Sequence, residues 1–216
     1  MNLLPLESLI TTGPVDHADW SYRPLLSIVQ RLRFRLVLAL IGKRHCRRLL
    51  EIGYGSGIFL PELRRRCDEL HGIDIHNHQN AVTEILAKHG VDATLVSGGA
   101  ESLPFDDASL DCVVAISALE FVTNLDRVCA EVKRVLAPTG SFIVVTPGRS
   151  AVLDFGLKLL TGASAKDDFA DRRATVLPAI ERHFTIDRMI AVPVGGSLFC
   201  LYRALRCVPR ESAGRS

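Results

Sequence analysis

The sequence predicts an α/β fold: a mostly parallel sheet with helices on both faces and an antiparallel hairpin at the C-terminal end. Three observations favour this fold. At residues 49–64 an apolar run leads into a glycine-rich turn and then a helix-like segment. The continuous apolar run at residues 112–116 is typical of a parallel strand covered on both faces. Two β-type segments, Phe184–Val192 and residues 197–206, flank a Pro-Val-Gly-Gly turn and indicate a hairpin.

The length and composition fit one sizeable globular domain. The chain has 216 residues, of which 48% are hydrophobic and 23% charged, as in ordinary globular proteins. A net charge of +2, from 26 basic and 24 acidic residues, argues against an extended nucleic-acid-binding surface. The charge is unevenly distributed, because residues 1–48 carry eight basic and three acidic side chains, or +5.

The cysteines and the hydropathy pattern predict a soluble, cytoplasmic protein. Six cysteines form no Cys-x-x-Cys pair and fall mostly in apolar or helical stretches. We therefore expect reduced, buried thiols rather than a disulfide framework or a zinc ribbon. The N-terminus lacks a signal-peptide pattern, and the longest apolar run, residues 36–41, is far below the ~18 residues that suggest a membrane span.

The most informative stretch is Glu51-Ile52-Gly53-Tyr54-Gly55-Ser56-Gly57, which places three glycines at alternate positions between a strand and a helix. Glycine adopts left-handed dihedrals and lets a ligand approach the backbone, and a helix N-terminus offers free N–H groups. The stretch therefore predicts a cofactor-binding turn. A dinucleotide fingerprint requires Gly-x-Gly-x-x-Gly, and Ile58 stands at its last position, which disfavours a nicotinamide oxidoreductase.

A second predicted strand, residues 69–73, ends at Asp74 and is followed by Ile75. A carboxylate at this position accepts hydrogen bonds from ribose hydroxyls in dinucleotide-binding folds. His76 and His78 come next, but no further cysteine or histidine with ligand-like spacing lies nearby. We therefore predict no metal site.

Together these motifs resemble those of the class I S-adenosylmethionine-dependent methyltransferases of the small-molecule type 11 kind. The glycine turn resembles the first motif of that family, and residues 97–105 resemble its Gly-Asp-Ala-Glu-x-Leu-Pro-Phe segment. The block at residues 134–140 also looks like the family, so the resemblance covers residues 48–147. It implies a Rossmann-like seven-stranded sheet with a C-terminal antiparallel hairpin, and S-adenosyl-L-methionine as the cofactor.

The resemblance also implies which residues contact that cofactor. In the family the acidic residue and the glycine turn hold the methionine part, and the acid that ends the second strand holds the ribose. The family's adenine-contacting aspartate falls on Gly99, which leaves backbone groups of Ala100 and Glu101 to contact the edge of the ring. The implied cofactor-binding residues are Glu51, Gly53, Tyr54, Gly55, Gly57, Asp74, Ile75, Gly99, Ala100, Glu101 and Ser117.

We therefore expect a methyltransferase that acts on a small-molecule or lipid-like acceptor. The family often has Leu-His-His-Val after the fourth strand, where this chain has Leu-Glu-Phe-Val at residues 119–122. No catalytic base is thereby identified, although Glu120, His17 and His78 are candidates at the rim of the site. A binding or partner protein that has lost catalysis is the alternative. A nucleic-acid methyltransferase is disfavoured, because the same loop lacks an Asn-Pro-Pro-Tyr type motif.

We divide the chain into three parts. Residues 1–47 form an irregular arm and an amphipathic helix, residues 48–208 the methyltransferase domain with a helical insertion at about 148–183, and residues 209–216 a tail. Within the domain we expect Asn124 to cap the helix that follows it, and the fifth strand to begin at Ser141 after a turn at residues 138–140. The insertion is expected to hold one helix around residues 152–160 and a second that leads to His183.

The N-terminal part either closes the active site as a lid or covers one face of the sheet. Its helix carries Arg31, Arg33 and Arg35, which we expect on a solvated face, with peripheral membrane contact as the alternative.

Overall fold

The computed structural model describes residues 1–13, 16–24, 26–148, 172–192 and 200–210 of the chain. Within these ranges seven strands form one sheet. The strands are β1 (Cys46–Ile52), β2 (Cys67–Asp74), β3 (Thr94–Ser97), β4 (Leu110–Ile116), β5 (Leu136–Pro147), β6 (Phe184–Val192) and β7 (Tyr202–Pro209). Their order across the sheet is β3-β2-β1-β4-β5-β7-β6.

The topology confirms the predicted fold class. The strands β1 to β5 are parallel, and β7 runs antiparallel to both of its neighbours, β5 and β6. The chain extends from β1 to β2 and β3 on one side and then crosses back to β4 on the other. A topological switch point therefore lies between the carboxyl ends of β1 and β4, where open α/β sheets bind their ligands.

Helices cover both faces of the sheet, as predicted. In the described ranges they are α1 (Leu26–Ile41), α2 (Leu60–Arg64), α3 (Gln79–Lys88), α4 (Leu125–Val135) and α5 (Arg172–His183). The helices α1, α2 and α3 bury their apolar residues against one face, and α4 and α5 against the other. The predicted cap of α4 is confirmed, because the side chain of Asn124 accepts a hydrogen bond from the Arg127 amide at 3.1 Å.

The N-terminal helix α1 belongs to the core of the sheet. Phe34, Val37 and Leu40 are all buried in the same cluster as the strands, and Phe34 stacks on Phe59 with ring centroids 4.4 Å apart. The helix α1 therefore packs on the sheet, and the role of the N-terminal part as lid or cover stays a prediction. The domain boundary at residue 47 rests on a change in the sequence pattern and stays a prediction.

The arm before α1 contains more regular structure than the sequence predicts. It contains two short 3-10 helices, Leu6–Ser8 and Ala18–Tyr22. Leu4 is buried, and its amide N–H donates to the carbonyl of Ile58 at 3.1 Å, just after the glycine turn. Apolar burial and main-chain hydrogen bonding thus fasten the arm beside the turn.

Two strand boundaries differ from the prediction. The fifth strand was expected to begin at Ser141 after a turn, but β5 already begins at Leu136, which pairs with Leu110 across an irregularity in the β4–β5 register. The described part of the last strand begins at Tyr202, after Cys200 and Leu201, because pairing with Pro147 of β5 and Val192 of β6 starts there. The predicted start at residues 197–199 lies outside the described residues. Neighbouring strands, which the local sequence does not identify, set both boundaries.

Other expectations are met in part. All six cysteines are free and buried, as predicted. The second helix of the insertion corresponds to α5, whereas its predicted first helix, near residues 152–160, lies outside the described residues, as does most of the tail. A helix that could span a membrane, which needs ~20 apolar residues, is absent from the described ranges. The cytoplasmic location stays a prediction.

Candidate cofactor and acceptor site

A cavity of about 710 Å³ opens at the carboxyl ends of the central strands. Its lining includes the glycine turn after β1, the end of β2, the loop after β4, the arm and α1. This is the switch point of the sheet, so the topology and the cavity indicate the same site.

The glycine turn has the backbone geometry that only glycine adopts without strain. The φ angles of Gly53, Gly55 and Gly57 are +76°, +52° and +74°. A Cβ atom on Gly53 would lie 2.5 Å from the Cβ of Ala118, and one on Gly57 would lie 2.9 Å from a side-chain carbon of Val82. Those two glycines are needed for packing. A Cβ on Gly55 would meet only the Asp16 carboxylate, at 3.7 Å, so this glycine borders the cavity itself.

Glu51, at the end of β1, is a buried carboxyl group in the wall of the cavity. It is 4% exposed, and its Oε2 atom has no hydrogen-bond partner within the described ranges. Burial raises its pKa to about 8, the nearby Arg33 opposes that rise and Asp74 adds to it. A buried acid without a partner is costly, so the site is suited to a ligand that brings a cationic donor.

Three more buried polar atoms without a partner in the described part of the chain belong to residues that line the cavity. They are the hydroxyl oxygens of Tyr54, Ser56 and Ser117. Ser117 also has a φ of +51°, which is uncommon for a residue with a side chain. The Nε atom of Arg33, another lining residue, is also buried without a partner in these ranges. Buried polar groups normally find partners, and five such atoms around one cavity indicate that it receives a polar ligand.

Asp74 joins the tip of β2 to the glycine turn. Its Oδ2 accepts a hydrogen bond from the Gly55 amide at 2.8 Å, and its Oδ1 accepts one from the His76 amide at 3.4 Å. The His76 ring is also engaged, because Nε2 donates to the Gly55 carbonyl at 3.0 Å and Nδ1 accepts from the His78 amide at 3.1 Å. Asp74 keeps further lone pairs for a ligand.

Nine of the eleven predicted cofactor residues line the cavity. They are Glu51, Gly53, Tyr54, Gly55, Asp74, Ile75, Ala100, Glu101 and Ser117. The other two, Gly57 and Gly99, are not in the lining.

The Glu101 carboxylate fills the space beside Gly99 that a side chain at position 99 would take. A Cβ atom added there would lie 2.6 Å from Oε2 of Glu101. The Glu101 carboxylate therefore occupies the space into which a side chain at position 99 would extend. Because Glu101 also lines the cavity, the wall carries a carboxylate there despite the glycine.

The three candidate bases have different surroundings. His17 lines the cavity and stacks on Trp20, with ring centroids 4.3 Å apart. His78 is exposed and outside the lining. The prediction that Glu120 lies at the rim is wrong. This residue is 1% exposed, it accepts a hydrogen bond from the Thr146 hydroxyl at 2.9 Å, and burial raises its pKa.

The solvated arginine face predicted for α1 is also wrong for two of its three members. Arg33 lines the cavity, and Arg31 donates to the Ser21 carbonyl at 2.9 Å and lies over the Tyr22 ring. Of the three, only Arg35 is exposed. The arm packs along the polar side of the helix, so that side does not present a row of arginines to a membrane.

Sequence reasoning missed several parts of the lining. Phe34 of α1 lines the cavity, although the helical periodicity of the sequence did not single it out. Asp16 was read as part of an irregular arm, although its carboxylate accepts hydrogen bonds from the amides of Thr12 and Ala18. The remaining lining residues that were not predicted include Thr12, Gly13, Ile58, Phe59, His76, Gly98, Phe121, Val122 and Thr123.

Within the described ranges, no cluster of three or more His, Cys, Asp or Glu side chains has a metal-binding arrangement.

Comparison with known proteins agrees with this geometry. A family model described as "Methyltransferase domain" matches residues 50–144. The sterol 4-C-methyltransferase strm-1 of Caenorhabditis elegans is 33% identical over 103 residues, which are 46% of this chain and 30% of that protein. The malonyl-[acyl-carrier protein] O-methyltransferase of Methylococcus capsulatus is 30% identical over 163 residues, or 70% of this chain and 58% of that protein.

A solved structure shows the same fold. The N-methyltransferase NodS of Bradyrhizobium japonicum, in complex with S-adenosyl-L-homocysteine, superposes with a TM-score of 0.65 at 16% identity and covers 95% of this chain and 97% of its own. The curated relatives are matched over less than two thirds of their own length, 30% and 58% in the two cases above.

Residues 50–144 thus form a methyltransferase domain. The glycine turn, the strand order and these relatives support a class I S-adenosylmethionine-dependent methyltransferase domain over these residues.

Proposed function

We propose that this protein transfers the methyl group of S-adenosyl-L-methionine to an oxygen, nitrogen or carbon atom of a small or lipid-like acceptor. The observation that carries the proposal is Glu51, a buried carboxyl group with an oxygen that has no partner in the described ranges, in the wall of a cavity beside the glycine turn. The cofactor brings an ammonium group that matches this acid.

The charges of the lining suit the methionine end of the cofactor. Glu51 offers a carboxylate to the α-ammonium group, and Arg33 offers a guanidinium to the α-carboxylate. Both side chains line the cavity, and the Nε of Arg33 is buried without a partner in the described part of the chain. A zwitterion bound between two opposite charges would satisfy both, and hydrogen bonds to charged groups are the strong ones.

The other end of the lining suits the adenosine. Asp74 offers a carboxylate to the ribose hydroxyls, and Ile75, which is 81% exposed beside the cavity, offers an apolar surface to the base. The carboxylate of Glu101 lies where the side chain of an aspartate at position 99 would be, and we assign to it the contact with the adenine amino group. This contact replaces the one that Gly99 cannot make.

The acceptor occupies the apolar part of the cavity in this proposal. Phe34 of α1 and Phe121 and Val122 of the loop after β4 line it, and apolar walls with few polar groups are typical of small-molecule sites. His17 of the arm lies in the same lining and is the candidate base for an acceptor that must lose a proton.

When bound, the cofactor supplies a methyl carbon that the acceptor atom attacks while the carbon–sulfur bond breaks and sulfur becomes neutral. The protein's own contribution is then mainly positional. The lining holds the two reactants in line, and such orientation alone lowers a barrier by several kcal/mol. The arm, fastened by Leu4 and Asp16, helps to exclude water from the reacting atoms.

Transfer of a labelled methyl group tests this proposal. The protein is incubated with methyl-labelled cofactor and separate extracts of polar metabolites and of lipids, and labelled products are identified by mass. Label in one product, lost in Gly55→Val and kept in Gly90→Val, supports the proposal. If the protein binds the cofactor but labels nothing in either extract, the binding protein without catalysis is the better account.

A further inference from the structure

A second cavity, of about 250 Å³, lies at the opposite edge of the sheet from the cofactor site. It is lined by Lys43, Arg44, His45, Glu62, Arg65 and Arg66, so five of its six lining residues are basic. Nothing in the proposed methyl transfer uses these residues. We call this cavity the basic pocket.

The pairing of two strands creates the basic pocket. Strands β1 and β2 are parallel, with Cys46 opposite Cys67, and the Cys46 amide donates to the Arg66 carbonyl at 2.8 Å. The residues that precede each strand, 43–45 and 64–66, therefore lie side by side at the amino ends of the strands. Since a strand rises ~3.3 Å per residue, the seven residues of β1 place the pocket roughly 20 Å from the glycine turn.

Main-chain carbonyls hold two of the arginines without neutralising them. Arg44 donates through Nη2 to the Thr139 carbonyl at 2.9 Å, and Arg66 donates through Nη1 to the Gly42 carbonyl at 3.1 Å. A carbonyl oxygen orients a guanidinium but carries no full negative charge. The arginines thus keep their charge and have reduced freedom, which lowers the entropy lost when they bind an anion.

The negative charge in the pocket is small. Glu62 is the acid in the lining. It is 6% exposed, it accepts a hydrogen bond from the Asn2 amide, and it lies 3.8 Å from Arg66. Lys43 and Arg65 are exposed and have no acidic partner within the described ranges. His45 pairs with Asp68, outside the pocket lining. The pocket therefore keeps a net positive charge.

We propose that the basic pocket binds a phosphate-type oxyanion, as the phosphate ester of a soluble molecule or of a lipid headgroup. The pocket is concave and small, which suits a compact anionic group, and arginine guanidinium groups match the oxygens of a phosphate. This pocket is separate from the cofactor cavity, so the proposed phosphate binding can be tested independently of the methyl transfer.

A double variant and a matched control test the proposal. Lys43→Gln/Arg65→Gln removes two positive charges from exposed positions in the pocket. Lys88→Gln/Arg35→Gln removes the same two charges from exposed positions that line neither cavity. Thermal unfolding of each 216-residue variant establishes that it is folded.

Binding is measured by calorimetry with inorganic phosphate and pyrophosphate, and by sedimentation with phosphatidylcholine vesicles that contain or lack phosphatidic acid. We expect saturable binding to at least one phosphate probe, weakened at least tenfold in Lys43→Gln/Arg65→Gln and by less than twofold in the control. Binding to the soluble anions points to a soluble phosphate ester, and binding only to vesicles with phosphatidic acid points to a lipid headgroup. No binding to any probe, or an equal loss in both double variants, would overturn the proposal.

Discussion

The amide N–H of Gly55 donates a hydrogen bond to Oδ2 of Asp74 at 2.8 Å. The glycine turn after β1 and the acid at the end of β2 are therefore one structural unit, although 19 residues separate them in the chain. A substitution of Asp74 acts on the cofactor directly and also through the shape of the turn.

Two substitutions of Asp74 separate these effects. Asp74→Asn keeps an oxygen that accepts from Gly55 but loses the charge, whereas Asp74→Ala loses both. We expect Asp74→Ala to weaken cofactor binding by about 1.5–3 kcal/mol, the scale for hydrogen bonds to charged groups, and to lower thermal stability. Asp74→Asn should weaken binding while changing the unfolding temperature less. Unchanged affinity in both variants, measured by calorimetry, would place the ribose elsewhere.

A side chain at Gly55 should prevent cofactor binding, and the backbone strain that it causes is not the whole reason. Gly55 and Gly90 have similar φ angles, +52° and +69°, but Gly55 borders the cavity and a Cβ on Gly90 meets nothing within 4 Å. Both Val substitutions should cost about 1–2 kcal/mol of stability, because a left-handed residue gains a side chain. Only Gly55→Val should abolish cofactor binding. Equal affinity of the two variants would mean that the cofactor does not pass over Gly55.

Glu51 makes the free protein's stability depend on pH. Its pKa is raised in the folded state to about 8, so between its ordinary pKa and pH 8 the folded state binds the proton that the unfolded state has lost. Stability from this group is therefore full below the ordinary pKa and falls as pH rises toward 8. Denaturant unfolding from pH 5 to 8 should show that decline, and Glu51→Gln should reduce it. A slope that Glu51→Gln leaves unchanged would contradict the assignment.

We expect the Glu51 carboxyl group to release a proton when the cofactor binds. At pH 7 Glu51 holds its proton in the free protein, and pairing with the cofactor's ammonium group favours the carboxylate. Calorimetry at pH 7 in two buffers of different ionisation enthalpy should detect release of up to one proton, which Glu51→Gln removes. Glu69→Gln, on an exposed side chain of the neighbouring strand, is the matched control.

We expect substitutions of Glu101 and Gly99 to compensate for each other in cofactor binding. Glu101→Ala should weaken cofactor binding because the adenine amino group loses its acceptor. Gly99→Asp alone should also weaken it, because the new Cβ would lie 2.6 Å from the Glu101 carboxylate. In the double variant the aspartate has room, so binding should recover relative to Glu101→Ala. A double-mutant cycle measures this coupling, and strictly additive losses would rule out the replacement.

The fold and much of the site were predictable because both depend on short-range patterns. Apolar runs mark the strands, and a residue at the end of a parallel strand, such as Asp74, must lie at the sheet's carboxyl edge, which is where the cavity opens. The glycine spacing likewise placed Glu51 and Gly55 beside one another in the lining.

The missed features depend on how distant segments pack. Periodicity identifies the apolar face of α1, but it does not reveal that the arm covers Arg31 and leaves Arg33 in the cavity. Glu120 looked accessible in a loop, yet a 3-10 turn at Leu119–Phe121 buries it beside Thr146 of β5. The basic pocket arises from the register of β1 and β2, which joins two basic segments that are separate in the sequence.

A calorimetric titration of the 216-residue protein with S-adenosyl-L-methionine tests most directly whether the cavity is the cofactor site. We expect saturable binding at one site per chain, abolished in Gly55→Val, weakened in Glu51→Gln and retained in Gly90→Val. An absence of binding to the wild-type protein, or binding of equal strength in all four proteins, would contradict the assignment of the cavity as the cofactor site.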